Sequence, residues 1–154
     1  MSDMRLIILA LAAASTAFTA APDLSGTWKL NTSKSDFGQF PPPSSMVMKV
    51  THADPKLSFE VKMVSDMGEM QFTTKCTTDG VECRNQGFGG GETRDVAKWD
   101  GDMLVFESKG TFGDNAYTLK DKWTLSADGK VLTILRHWSS SMGEMDQKMT
   151  MEKQ

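Results

Sequence analysis

From Met46 to the end of the chain, apolar and polar residues alternate with a period of two. Met46, Met48, Val50 and His52 share one face of a segment whose other face is Val47, Lys49 and Thr51. Leu57, Phe59, Val61 and Met63 repeat the pattern, and so do Met70, Phe72, Thr74 and Cys76. Later segments place Leu104, Phe106 and Ser108 together, then Tyr117, Leu119, Asp121, Trp123 and Leu125, and finally Met145, Gln147, Met149 and Met151. A period of two is the signature of a strand with one buried face. Turn residues separate the runs: Asp54-Pro55, Asp66-Met67-Gly68, Asp79-Gly80, Asp100-Gly101, Gly113-Asp114-Asn115, Asp128-Gly129 and Met142-Gly143. Upstream, Leu24, Gly26, Trp28 and Leu30 alternate with Ser25, Thr27 and Lys29 to open the series. Val131 to Trp138 is almost wholly apolar, so its inward face is undetermined by pattern.

The count is about ten strands. Short turns make neighbours in sequence antiparallel neighbours in space. The expected fold is all-β, an antiparallel up-and-down β-barrel of about 8–10 strands. A β-sandwich is the alternative, but it needs long crossovers. Only Asn31 to Ser45 and the Gln86–Gly91 loop offer one. Pro41-Pro42-Pro43 keeps the first of these from forming a regular helix. It reads as a long loop over one end, with Phe37 and Phe40 as its anchors.

The N-terminus has a different pattern. Leu6 to Ala14 is a short apolar run behind Arg5, followed by small residues. That composition predicts a secretory signal peptide over residues 1–21, too short for a membrane span, and a single domain over 22–154. The expected location is periplasmic or secreted. Export and two cysteines favour a disulfide. If Asp79-Gly80 is a two-residue turn, Cys76 and Cys83 lie directly opposite, about 5.5 Å apart, within disulfide range. A three-residue turn would misalign them.

Charge and composition exclude some functions. A formal net charge of -3 over 154 residues argues against nucleic acid, which wants a basic face. Outward faces rich in Lys, Glu, Asp and Thr argue against a lipid-embedded barrel. Two histidines, His52 and His137, cannot supply a three-histidine zinc site. No Gly-x-Ser-x-Gly or His-Glu-x-x-His occurs. The chain is therefore read as a monomer, not as an enzyme, and without a cofactor.

Gly26-x-Trp28 on the first strand resembles the opening of the calycins, the lipocalin and fatty-acid-binding-protein barrels. The resemblance implies that Gly26 and Trp28 plug the closed end and that the barrel carries a small apolar molecule. The start Gly-Thr-Trp-Lys-Leu also resembles secreted bacterial proteins of unknown function. The chain departs from fatty-acid-binding proteins in two places. Its first long loop is not a helical lid, and its last strand lacks the Arg-x-Tyr that holds a carboxylate. Arg136, the only late arginine, is instead similar to the basic residue that packs on the first-strand Trp in lipocalins.

Twelve methionines give several inward positions a flexible, polarizable side chain suited to varied apolar ligands. The candidate ligand wall is Met48, Val50, His52, Phe59, Val61, Met63, Phe72, Phe106, Tyr117, Leu119, Trp123 and Met149. His52, Asp95, Tyr117, Asp121 and Gln147 are inward polar groups able to orient a head group. A rival reading is a periplasmic copper(I) site of thioethers, from Met67/Met70 and Met142/Met145. A third is a structural or protein-interaction barrel filled by its own side chains. A faint repeat relates Ala53-Asp54-Pro55-Lys56 to Ala127-Asp128-Gly129-Lys130, and nothing further rests on it.

Overall fold

The computed structural model describes residues 20–87 and 89–154. The signal segment expected over residues 1–21 falls almost wholly outside them. The alternating runs form β1 (Gly26–Leu30), β2 (Ser45–Ala53), β3 (Lys56–Ser65), β4 (Gly68–Thr77), β5 (Cys83–Gln86), β6 (Glu92–Asp100), β7 (Met103–Phe112), β8 (Asn115–Leu125), β9 (Val131–Ser140) and β10 (Gly143–Lys153). They make one ten-stranded antiparallel sheet in the order β4-β3-β2-β1-β10-β9-β8-β7-β6-β5, curled into a nearly closed barrel. The expected up-and-down meander is what forms, because each short turn returns the chain beside the strand it left. One connection is long, and it carries only a 3-10 turn, Thr32–Lys34.

The inward faces are those the alternation implies, from Met46, Met48, Val50 and His52 on β2 to Met149 and Met151 on β10. For β9 the structure supplies what the pattern left open: Leu132 and Ile134 are buried and Leu135 is exposed. Arg136 and Trp138 follow on the inward side by alternation. In the long connection Phe37 packs against the core, but Phe40 is 60% exposed and anchors nothing. Backbone bonds between Asp36 and Lys148 (2.8 and 2.7 Å) lay the segment along β10 and turn Phe37 inward. The prolines then lead the chain away.

Asp79-Gly80 does not turn a hairpin, since β4 and β5 form no ladder. The backbone groups there are taken by other neighbours. Thr78 N–H donates to the Pro55 carbonyl (2.8 Å), Asp79 bridges Lys98, and Gly80 N–H donates to the Ala97 carbonyl (3.0 Å). The two edges nevertheless meet. The Cys76–Cys83 disulfide joins them with Cα atoms 5.4 Å apart. Beside it, the Asn85 amide does what a strand backbone would. Its Oδ1 accepts from Lys75 N–H (2.8 Å), and its Nδ2 donates to the Lys75 carbonyl (3.3 Å) and to Asp95 Oδ2 (2.8 Å).

The β2–β3, β6–β7 and β8–β9 turns lie at the end where β1 begins, and that end is tied shut. Asp54 Oδ1 accepts from Trp99 Nε1 (2.9 Å), Thr78 Oγ1 (2.7 Å) and His52 Nε2 (3.0 Å), linking β2, β6 and the segment after β4. His52 Nδ1 accepts from Leu24 N–H at 3.1 Å. Trp28 is fully buried, and its indole N–H donates to the Leu24 carbonyl at 3.0 Å. The cation over its ring is Lys153, 5.8 Å from the centroid, and not Arg136, which is committed elsewhere. Gly26 has φ +144°, and a Cβ there would sit 2.9 Å from the Lys153 Cε. The glycine thus makes room for the lysine stem rather than for the indole.

Reducing the disulfide should lower the unfolding free energy by about 2–3 kcal/mol, the loop-entropy value for so short a ring. Asn85→Ala should destabilise the oxidised protein further, by about 1–2 kcal/mol, since Lys75 loses both partners. Denaturant melts with and without dithiothreitol measure both. Equal midpoints would show that the seam does not hold the barrel.

The Trp99 indole, aided by Thr78 and His52, holds the Asp54 carboxyl below its ordinary value against the opposing effect of burial. A carboxylate depressed on folding adds stability above its unfolded pKa of about 3.9 and loses it as pH falls through the folded value. Unfolding midpoints of wild type and Asp54→Asn should therefore differ at neutral pH and converge as pH drops from about 4 toward about 2. Parallel curves would show that the charge on Asp54 is not what ties this end.

Candidate functional site

The barrel interior divides into a packed floor and a more open upper part. Phe59 on β3 reaches across to Phe106 on β7, edge to face with centroids 5.4 Å apart, and to Trp123 on β8 at 5.1 Å. Opposite walls therefore touch at mid-height, and aromatic pairs in this geometry favour the contact beyond their buried area. On the closed-end side, Leu104, Leu132, Ile134, Met149 and Met151 are at most 1% exposed. On the other side, the inward residues nearest the β3–β4 and β9–β10 turns (Met63, Met70, Phe72, Trp138 and Met145) are all only partly buried. That end is the mouth.

The candidate wall residues are all inward, but they serve different levels. Met63, Phe72, Tyr117 and Leu119 lie toward the mouth. Phe59, Phe106 and Trp123 form the floor, with Val61 and Met48 beside Phe72 on the β3 and β2 registers. Val50 and Met149 are closed off, at 5% and 1% exposed. His52 sits at the closed end with both ring nitrogens engaged. Trp138 was not legible in the apolar run of β9. It stacks on Tyr117, with centroids 4.4 Å apart and an interplanar angle of 13°.

The upper interior is chemically two-sided. β2, β3 and β4 contribute methionines and Phe72. β6 to β10 contribute a polar column, set by successive registers. Asp121 lies between Phe106 and Arg136, and Arg136 faces Gln147. One step toward the mouth, Asp95 faces Ser108, and Ser108 faces Leu119. Asp121 and Arg136 form a two-pronged ion pair: Nε donates to Oδ1 at 2.8 Å and Nη2 to Oδ2 at 2.9 Å. Asp95 Oδ2 accepts from Thr93 Oγ1 at 2.9 Å and from Asn85. Burial, and after it the Asp95 charge, pushes the Tyr117 phenol above its ordinary pKa, against Arg136 and a Ser108 hydrogen bond. Gln147 Nε2 donates to the Phe37 carbonyl at 3.2 Å, tying the long connection to this wall.

The copper alternative needs two methionine pairs together. Met67 and Met142 are 84% and 81% exposed, on turns separated by β2 and β1. At about 4.8 Å per strand, those turns lie about 19 Å apart along the wall. Among the described residues no group of three His, Cys, Asp or Glu could hold a metal ion. No described helix is long and apolar enough to cross a membrane.

No protein-family model and no curated protein matches the chain. Solved structures do. The chain is similar to zebrafish ileal bile acid-binding protein complexed with cholic acid, at TM-score 0.60 and 14% identity, covering 85% of this chain and 98% of that one. It is similar to a fatty acid transporter at TM-score 0.56 and 12% identity, covering 85% and 96%. Secretory abundant heat soluble protein 4 from Ramazzottius varieornatus superposes at TM-score 0.52 and 15% identity, covering 89% and 98%. With 85–89% of the chain aligned to these structures and a meander of ten antiparallel strands, the chain has the fold of the calycin-like barrels.

Proposed function

We propose that this is an exported barrel that binds a small apolar or amphipathic molecule in its upper interior. The observation that carries the reading is the gradient of burial along the inward faces. The same strands that are sealed at the closed end leave Met63, Met70, Phe72, Trp138 and Met145 partly open at the mouth. Apolar side chains facing inward yet touching solvent favour a ligand that covers them, at roughly 25 cal/mol per Å². The rim fits an entrance for such a ligand, since Phe40, Met67 and Met142 are exposed on the connections at that end and Phe112 at the end of β7. The bile acid and fatty acid proteins among the structural neighbours support the same ligand class. Export rests on the N-terminal pattern and is supported by the disulfide.

An environment-sensitive anilinonaphthalene dye should bind saturably, at about micromolar affinity, and be displaced by long-chain amphiphiles. Met63→Glu or Phe72→Glu should weaken binding about tenfold, the equivalent of about 60 Å² of lost apolar contact. Lys49→Glu on the outer wall should not. Equal effects from the three variants, or no saturable binding, would remove the reading.

Expressed with residues 1–21 in a Gram-negative host, the protein should be recovered from the periplasm, shortened near residue 21 and oxidised at Cys76 and Cys83. Intact mass with and without reductant reads both features. A full-length cytoplasmic product would remove export.

A further inference from the structure

Resting on that reading, we infer that the bound molecule has an uncharged or cationic head group with a hydrogen-bond donor, and that carboxylates are disfavoured.

The inference starts from the charges inside. Among the described residues the buried acidic side chains are Asp95 and Asp121, each 1% exposed. The inward cation of the polar column is Arg136, and both its Nε and Nη2 are spent on Asp121. A two-pronged guanidinium–carboxylate pair is geometrically complete and costly to separate in a dry site. The column's positive charge is therefore already balanced by Asp121 when a second anion arrives. Asp95 then leaves the group net negative. The raised pKa of Tyr117 is consistent with that field, with Asp95 contributing after burial.

Hydrogen-bonding capacity points the same way. Asp95 Oδ2 has two donors, but Asp95 Oδ1 is buried with none. A carboxylate oxygen is acceptor-only, so what satisfies it must donate. A hydroxyl or ammonium does so, and a carboxylate at neutral pH cannot. Trp123 Nε1, also buried without a partner, is a donor in the floor. A hydroxyl can serve either atom, whereas an ammonium serves only Asp95. Apolar Met63, Met70 and Phe72 opposite the column would take the hydrocarbon of the same molecule.

The test uses the oxidised full-length barrel and three chain-matched probes, a long-chain alcohol, its alkylammonium and its fatty acid, competed against the dye at neutral pH. The alcohol and the ammonium should bind about tenfold tighter than the fatty acid, the ratio expected from one like charge at close range under partial screening. Asp121→Asn should release Arg136 and raise fatty-acid affinity about tenfold relative to the alcohol. Asp95→Asn should weaken the ammonium relative to the alcohol, and it provides a second arm if Asp121→Asn fails to fold. Fatty acid binding as tightly as the alcohol in wild type overturns the inference while leaving the carrier reading intact. So does a folded Asp121→Asn barrel with unchanged fatty-acid affinity. Binding of none of the three removes the carrier reading and this inference with it.

Discussion

Everything in this barrel depends on joining two sheet edges that do not pair. Ten strands in order leave β4 and β5 as edges, and unpaired edges invite association with other chains. The gap is spanned by one covalent bond and one side-chain amide. The disulfide fixes the distance, while Asn85 satisfies the donor and acceptor of Lys75 that a missing strand would have met. Asn85 also donates to Asp95, so the closure of the wall and the polarity of the interior share a residue. A change at the seam is thereby felt in the site.

The closed end uses another device. Asp54 is a turn residue that collects donors from three separate segments on one oxygen. Charge-assisted hydrogen bonds of this sort are stronger than neutral ones, and here they lock the bottom beside the buried Trp28. The mouth is tied differently, by single bonds such as Ser44 Oγ to the Val64 carbonyl (3.0 Å) and Gln147 Nε2 to the Phe37 carbonyl (3.2 Å). It is framed by connections whose exposed apolar residues belong to different strands, and its long connection is pinned through Phe37 and the Asp36–Lys148 bridge rather than by a helical lid.

Inside, hydrocarbon and polar groups occupy opposite walls. Burying Asp121 and Arg136 is tolerable because each satisfies the other in two parallel bonds. The aromatic floor of Phe59, Phe106 and Trp123 brings the walls together at mid-height. Arg136 had suggested one family role, a cover for Trp28. It does not fill it, because Asp121 lies directly across from it on β8.

Much of the architecture was legible in the residues themselves. Side-chain period in a strand is a local property, so the alternation assigned inward faces on nearly every strand, and the short turns set the meander. It could not orient β9, where both faces are apolar, and so Trp138 and its stack on Tyr117 stayed hidden. Pairing between distant segments is not local. The sequence placed Cys76 and Cys83 close enough to bond but implied a hairpin between them. Only the tertiary structure directed the Thr78–Gly80 backbone to Pro55 and β6 instead. In the same way, alternation identified Asp95 and Asp121 as inward acids without saying which of them Arg136 would neutralise. That is decided by strand register, which brings together side chains far apart in the chain, and no pattern along a single strand encodes it.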